Sequence, residues 1–216
     1  MNTDLARQQM VEQQIRTWDV FDADVLHAFG AVSREQFVPA GLQDAAYADA
    51  EIPLAHKQCM LRPSIAGRLL QSLGIQEGDD VLEIGTGTGY LTNCLAQLAG
   101  TVTSIDIYED FVTAARARLA DAGAQNVTLH CMDAMADLPQ GEYDAIAVTG
   151  SVATVAEQFI HALKPGGRLF IVTGSAPVMT ATLITRTPDD EIVSQELFET
   201  NIPALVSSDA PAEFLF

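Results

Sequence analysis

The sequence predicts an α/β fold in which an amino-terminal helical segment precedes a mostly parallel sheet that ends in an antiparallel hairpin. Three observations predict it. Short runs rich in β-branched residues (VLEIG, VTSIDI, VTLHCM, AIAVTG and RLFIVTG) recur after residue 80, separated by helix-like stretches, as buried parallel strands and their crossovers do. A glycine-rich turn, Gly85-Thr86-Gly87-Thr88-Gly89, follows the first of these runs and opens a helix. Before residue 80 the apolar residues keep a helical spacing instead.

Taken in order, TDLARQQMVEQQIRTW from Thr3 to Trp18 begins with an N-cap residue and sets Val11 and Ile15 on one face. Asp22 or Asp24 caps a second helix through VLHAF, closed by SREQFVP and its Pro39. Pro63 and Ser64 start a third, with Ile65, Leu69, Leu70 and Leu73 as its apolar stripe and Gly74 as its stop. In the first crossover Leu91, Cys94, Leu95 and Leu98 share one face, which makes Cys94 a core residue. Asp144 reads as structural, and Pro165-Gly166-Gly167 as a turn before the fifth strand. TATLITRT and IVSQELFETNI flank PDDE, a turn signal that predicts the closing hairpin. The expected organisation is one structural domain, with a helical extension and substrate loop over 1–79 and an α/β core over 80–216.

The chain of 216 residues carries 29 Asp and Glu against 11 Lys and Arg, a formal charge of -18, which repels phosphate backbones and anionic membranes. Nucleic acid and membrane are therefore not expected partners. Residues 1–79 hold 6 of the cations and 11 of the acids, so the first third is the less acidic part and the better place for an anionic ligand. Cys59, Cys94 and Cys131 have neither disulfide-framework nor metal-ligand spacing. A reducing, cytoplasmic setting without a metal is expected.

The glycine turn sits where a strand end lets a ligand approach backbone, but the third glycine comes at 89 rather than 90, where Tyr stands, so the dinucleotide fingerprint fails. An acid before the glycines, Glu83, suits a ligand that carries an ammonium or a sulfonium. Asp106 ends the second strand nineteen residues after Gly87, placed to accept ribose hydroxyls. Asp133 follows the third strand, placed to accept from an adenine amino group. Singly, each acid reads equally well as a helix cap or a solvated loop charge; together they point to S-adenosylmethionine.

VLEIGTGTGYLT, SIDIYE, YDAIAVTG and LKPGGRLFI resemble the class I S-adenosylmethionine-dependent methyltransferases. MVEQQIRTWDVFDADVLHAF, VSREQFVP and AYADAEIPLAHKQ resemble, more narrowly, the protein-L-isoaspartate O-methyltransferases. The resemblance implies a Rossmann-like, seven-stranded, mostly parallel sheet with a carboxy-terminal antiparallel hairpin. It implies S-adenosyl-L-methionine contacts at Gln58, Glu83, Gly85, Thr86, Gly87, Asp106, Ile107, Asp133 and Ala134, and acceptor contacts at His56, Cys59, Leu61 and Arg62. Met132 and Ala134 flank Asp133 where the family pattern has glycines.

The substrate loop departs further. The pattern Gly-Gln-Thr-Ile-Ser-Gln-Pro is Lys57-Gln58-Cys59-Met60-Leu61-Arg62-Pro63 here, so both hydroxyls are gone, and with Leu61 the position that the family associates with catalysis; no catalytic residue is assigned. Methyl transfer to a carboxylate needs no general base, because that group is ionised at pH 7, so positioning carries most of the rate. His56, Lys57 and Arg62 either hold the acceptor carboxylate or are solvated cations on a loop; Met60 reads as packing and Cys59 as a small apolar residue. Three functions remain open: an isoaspartyl O-methyltransferase acting on damaged peptides, a methyltransferase with a small-molecule carboxylate acceptor, and a cofactor-binding relative without turnover.

Overall fold

The computed structural model describes residues 3–207. Its amino-terminal segment begins with helix α1 (Thr3–Met10), which continues through one π turn over Val11–Ile15 and one 3-10 turn over Arg16–Trp18. Helix α2 (Ala23–Ala31) is capped by Asp22, whose carboxylate accepts from the amides of Asp24 and Val25 at 2.9 and 3.0 Å. That helix stops at Ala31, well before Pro39, because Ser33 leads into a separate 3-10 turn over Arg34–Gln36. A two-stranded antiparallel ribbon not foreseen from the sequence follows, made of β1 (Ile52–Pro53) and β2 (Cys59–Met60). Helix α3 (Pro63–Leu73) then starts on its proline and ends at Gly74 in the left-handed conformation, as expected.

The sheet consists of β3 (Asp80–Ile84), β4 (Thr101–Asp106), β5 (Val127–Cys131), β6 (Tyr143–Val152), β7 (Leu163–Ser175), β8 (Val178–Arg186) and β9 (Ile192–Thr200). Their spatial order is β5-β4-β3-β6-β7-β8-β9, with the first five parallel and β8 antiparallel to both of its neighbours. The order reverses direction at β3, the kind of switch point beside which α/β sheets bind ligands. Crossovers run through α4 (Tyr90–Leu98), α5 (Glu109–Asp121) and α6 (Glu157–His161), whereas the β5–β6 connection contains no helix.

Side-chain alternation along the buried strands feeds two core layers. Val81, Ala145, Ala147, Phe170 and Val172 face one layer, while Leu82, Ile146, Val148, Leu169 and Ile171 face the other. The first layer also holds Met10, Ile15, Phe29 and Phe37, so the amino-terminal helices share their core with α4 and the sheet. Cys94 lies fully buried in that layer and Met60 is buried with it, both in the packing roles expected.

Asp144 is structural, as expected: it pairs with Lys164 at 2.7 Å and accepts from the Asp80 amide at 2.8 Å, tying the heads of β3, β6 and β7. The Pro165-Gly166-Gly167 turn is a correction. These residues lie inside β7, where pairing jumps from Tyr143–Leu163 to Ala145–Arg168 and the extra residues are absorbed as an irregularity rather than ending the strand.

Candidate functional site

The site is built at the carboxyl ends of β3, β4 and β6. The amides of Gly85 and Thr86 both donate to the carbonyl of Ile105, at 2.8 and 3.2 Å, so the chain leaving β3 curls across the end of β4. Gly85 needs to be glycine twice over. Its φ is +101°, and an added Cβ would lie 2.1 Å from Oγ1 of Thr149, which itself sits 3.0 and 2.9 Å from the carbonyls of Ile84 and Gly85.

The three strand-end acids have three different environments. Asp106 is buried, accepts from the amides of Gly87 and Tyr108 at 2.8 and 3.0 Å, and borders the cavity beside the glycine loop. Burial raises its pKa, and the two amides oppose that shift. Glu83 lies wholly inside the fold. One of its oxygens accepts from the hydroxyls of Thr92 and Ser104, and the other has no partner among the described residues. Burial pushes its carboxyl up to about 8, the two hydroxyls oppose that shift, and Glu83 lines neither of the cavities beside the loop. Asp133 spends its two oxygens on the Met135 amide and the Ser207 hydroxyl, at 2.8 and 2.9 Å, and it is its neighbours Met132 and Ala134 that line the cavity.

Two cavities meet at the loop. The first is lined by Gln58, Gly85, Gly87, Asp106, Ile107 and Ala134, all expected, together with Tyr108, Phe111 and Leu205, which sequence reasoning missed. The second lies against Arg34, Leu61, Thr86 and Tyr90. Leu54, Cys59, Gly85, Gly87 and Thr149 border both, so the two lie side by side. Thr86 faces the second cavity rather than the first, its hydroxyl 2.6 Å from that of Ser104. Cys59 is a thiol here, since burial and neighbouring Glu51 push it up to about 12.

Arg34 is the principal charged residue that the sequence reading overlooked. It is 1% exposed, donates to the Leu61 carbonyl at 2.8 Å and lies 4.6 Å from the Tyr90 ring centroid. No carboxylate pairs with it among the described residues, and its Nε has no partner there. Burial lowers its pKa, but a guanidinium stays charged at neutral pH, so the second cavity carries a positive charge. Its position in VSREQFVP was the only available signal.

The stretch PLAHKQCM is the ribbon hairpin. The amide of Leu54 donates to the Gln58 carbonyl at 2.8 Å, and both His56 and Lys57 turn through the left-handed region, at φ 56° and 58°. His56, expected at the acceptor, is directed elsewhere: its ring stacks on Tyr108, and its Nε2 lies 3.0 and 3.1 Å from the two oxygens of Asp110. Arg62 borders neither cavity and opens with Lys57 onto a separate groove lined also by Glu51, Ser151 and Pro203. The tail, residues 201–207, was not foreseen as part of the site. Ser151 donates to the Pro203 carbonyl and accepts from the Leu205 amide, at 2.9 and 2.8 Å, which lays Pro203, Leu205 and Val206 along the first cavity.

A sheet that reverses at a glycine loop, with paired cavities at its carboxyl edge, is the framework of an α/β methyltransferase. The sequence profile of the protein-L-isoaspartate(D-aspartate) O-methyltransferase family matches residues 5–209, and the chain belongs to that family. It is 34% identical over 198 residues to a protein-L-isoaspartate O-methyltransferase of Brucella anthropi, covering 91% of each chain. With the enzyme of that name from Rhodopseudomonas palustris it shares 40% identity over 167 residues, 77% of each chain. The fold is similar, at a TM-score of 0.79 and 20% identity, to a Plasmodium falciparum protein-L-isoaspartate O-methyltransferase crystallised with S-adenosyl-L-homocysteine, over 93% of this chain and 98% of that one.

Proposed function

We propose that this protein transfers a methyl group from S-adenosyl-L-methionine to a carboxylate, with the L-isoaspartyl group of damaged peptides as its acceptor. The observation that carries the reading is the pair of adjacent cavities, one bordered by a buried carboxylate, Asp106, and the other by a buried guanidinium without a carboxylate partner, Arg34. The first fits the cofactor. Both Asp106 oxygens keep a lone pair for ribose hydroxyls, and Ile107, Phe111, Met132 and Ala134 supply apolar walls for a flat base. In this reading Gln58, Gly85, Thr86 and Gly87 surround the amino-acid end, and Asp133 holds the base-side wall through its bond to Met135.

Bound there, the cofactor supplies an electrophilic methyl group on a sulfonium. The chain supplies position and exclusion of water. The acceptor carboxylate needs no base, and the positive charge of Arg34 favours an anion in the second cavity. Holding two reactants in line is worth roughly 7–11 kcal/mol, more than any single hydrogen bond that the missing hydroxyls at Cys59 and Leu61 would supply. Cys59 stays protonated and acts as wall, not nucleophile. Among the described residues no cluster of His, Cys, Asp and Glu can hold a metal, and no helix is long and apolar enough to cross a membrane.

Leu61 favours one alternative, a small-molecule carboxylate acceptor, because it faces the second cavity with an apolar side chain. Incubation with methyl-labelled cofactor, an isoaspartyl peptide and its aspartyl twin decides between them. Label on the isoaspartyl peptide alone is expected. Label on neither, with cofactor bound, rejects the peptide acceptor.

A further inference from the structure

Every lysine and arginine but two has a hydrogen bond, ion pair or ring contact among the described residues; the exceptions are Lys57 and Arg62. Both border one groove, which runs from the ribbon past Ser151 to Gly174, Met179 and Ile202. That groove meets the first cavity at Pro203, and its one acid, Glu51, contacts the Cys59 thiol between them. In a chain of charge -18, two unpaired cations against one acid in a single groove are a local departure from the acidic surplus, and the better place on the chain for an anion. Lys57 is also held in the left-handed region, at φ 58°, where a side chain other than Gly, Asn, Asp or His is uncommon.

We propose that the Lys57–Arg62 groove selects acceptors carrying a second anionic group, an Asp or Glu side chain close in sequence to the methylated carboxylate. The inference rests on the methyl-transfer reading above and names its substrate class. Two unpaired cations reached by one acidic neighbour give electrostatic discrimination that fades with added salt, whereas an apolar groove would not respond to charge.

The test uses isoaspartyl peptides identical except for Glu, Ala or Lys beside the isoaspartyl residue, with free glutarate as a competing small dicarboxylate. Turnover is measured, and so is fluorescence anisotropy of the same peptides with S-adenosyl-L-homocysteine present. At low salt, kcat/KM for the Glu peptide is expected to exceed that for the Lys peptide about tenfold. The ratio should fall towards one in K57G/R62Q; Lys57→Gly suits the left-handed backbone, so folding is not at risk, which thermal melting verifies. Inhibition by glutarate far below the peptide KM would assign the anionic group to a small molecule and overturn the peptide part of the proposal. A ratio near one in the wild type, or one unchanged in the variant, overturns the whole. If no peptide is methylated, the isoaspartyl function fails separately, and anisotropy still decides: tighter binding of the Glu peptide supports the groove and equal binding rejects it.

Discussion

The imidazole of His56 lies flat on the phenol ring of Tyr108, with centroids 3.9 Å apart and planes 5° from parallel, while Phe111 meets both rings edge-on. This contact fastens the ribbon hairpin to the start of α5, across a cavity that Tyr108, Phe111 and Gln58 all line. An aromatic pair of this type is worth about 0.5–1.5 kcal/mol. His56→Ala is therefore expected to weaken S-adenosyl-L-homocysteine binding by roughly 2- to 10-fold in calorimetry. His56→Phe keeps the stack and loses the Asp110 bond, so it should retain most of the affinity; equal losses in both would move the effect from the stack to the Asp110 hydrogen bond.

Asp106 holds two amides of the site as well as facing the cavity. Asp106→Ala leaves the Gly87 and Tyr108 amides without their acceptor, costing about 1–3 kcal/mol of stability. The cofactor dissociation constant should rise by roughly 100-fold. Asp106→Asn, which keeps one acceptor oxygen, should fall between that variant and the wild type in both denaturant melts and calorimetry.

Glu83 gives the fold a pH dependence of defined sign. Its carboxyl titrates near the ordinary 4.5 when unfolded and at about 8 when buried. The protonated form is the one that the folded state favours, so this contribution is complete below about 4.5 and is lost as pH rises towards about 8. Glu83→Gln removes the titration and keeps an acceptor for Thr92 and Ser104. Relative to the wild type, the variant should gain about 1.4 kcal/mol per pH unit across that window in urea unfolding. A flat difference would mean that the buried carboxyl does not hold its proton.

Leu61 is half-buried at the second cavity, with its carbonyl held by Arg34. Leu61→Ser restores a hydroxyl donor at the acceptor side at the cost of some packing. A hydrogen bond worth about 1–3 kcal/mol would raise kcat/KM on isoaspartyl peptides by roughly 5- to 160-fold. No gain would show that the acceptor pocket differs at more than this residue.

The opening and closing elements of the sheet, the glycine loop, the Asp22 cap and the Pro63–Gly74 helix were legible because each is local. Strand alternation, cap chemistry and the need for a positive φ are set by neighbours in the chain. Asp106 lies at the cavity for the same reason, since a strand end fixes where its side chain emerges.

What the sequence by itself determined, then, is an α/β sheet with a glycine loop at a strand end and a family with methyl transfer as its chemistry. Only the tertiary structure decided the charge and target of the side chains there. Burial raises the Glu83 carboxyl against the opposing hydrogen bonds from Thr92 and Ser104, His56 turns away because Tyr108 offers a ring to stack on, and Arg34 enters the site by reaching the Leu61 carbonyl from an element 27 positions away. Burial and partner choice depend on which distant segments pack together, and no local pattern of residues encodes that.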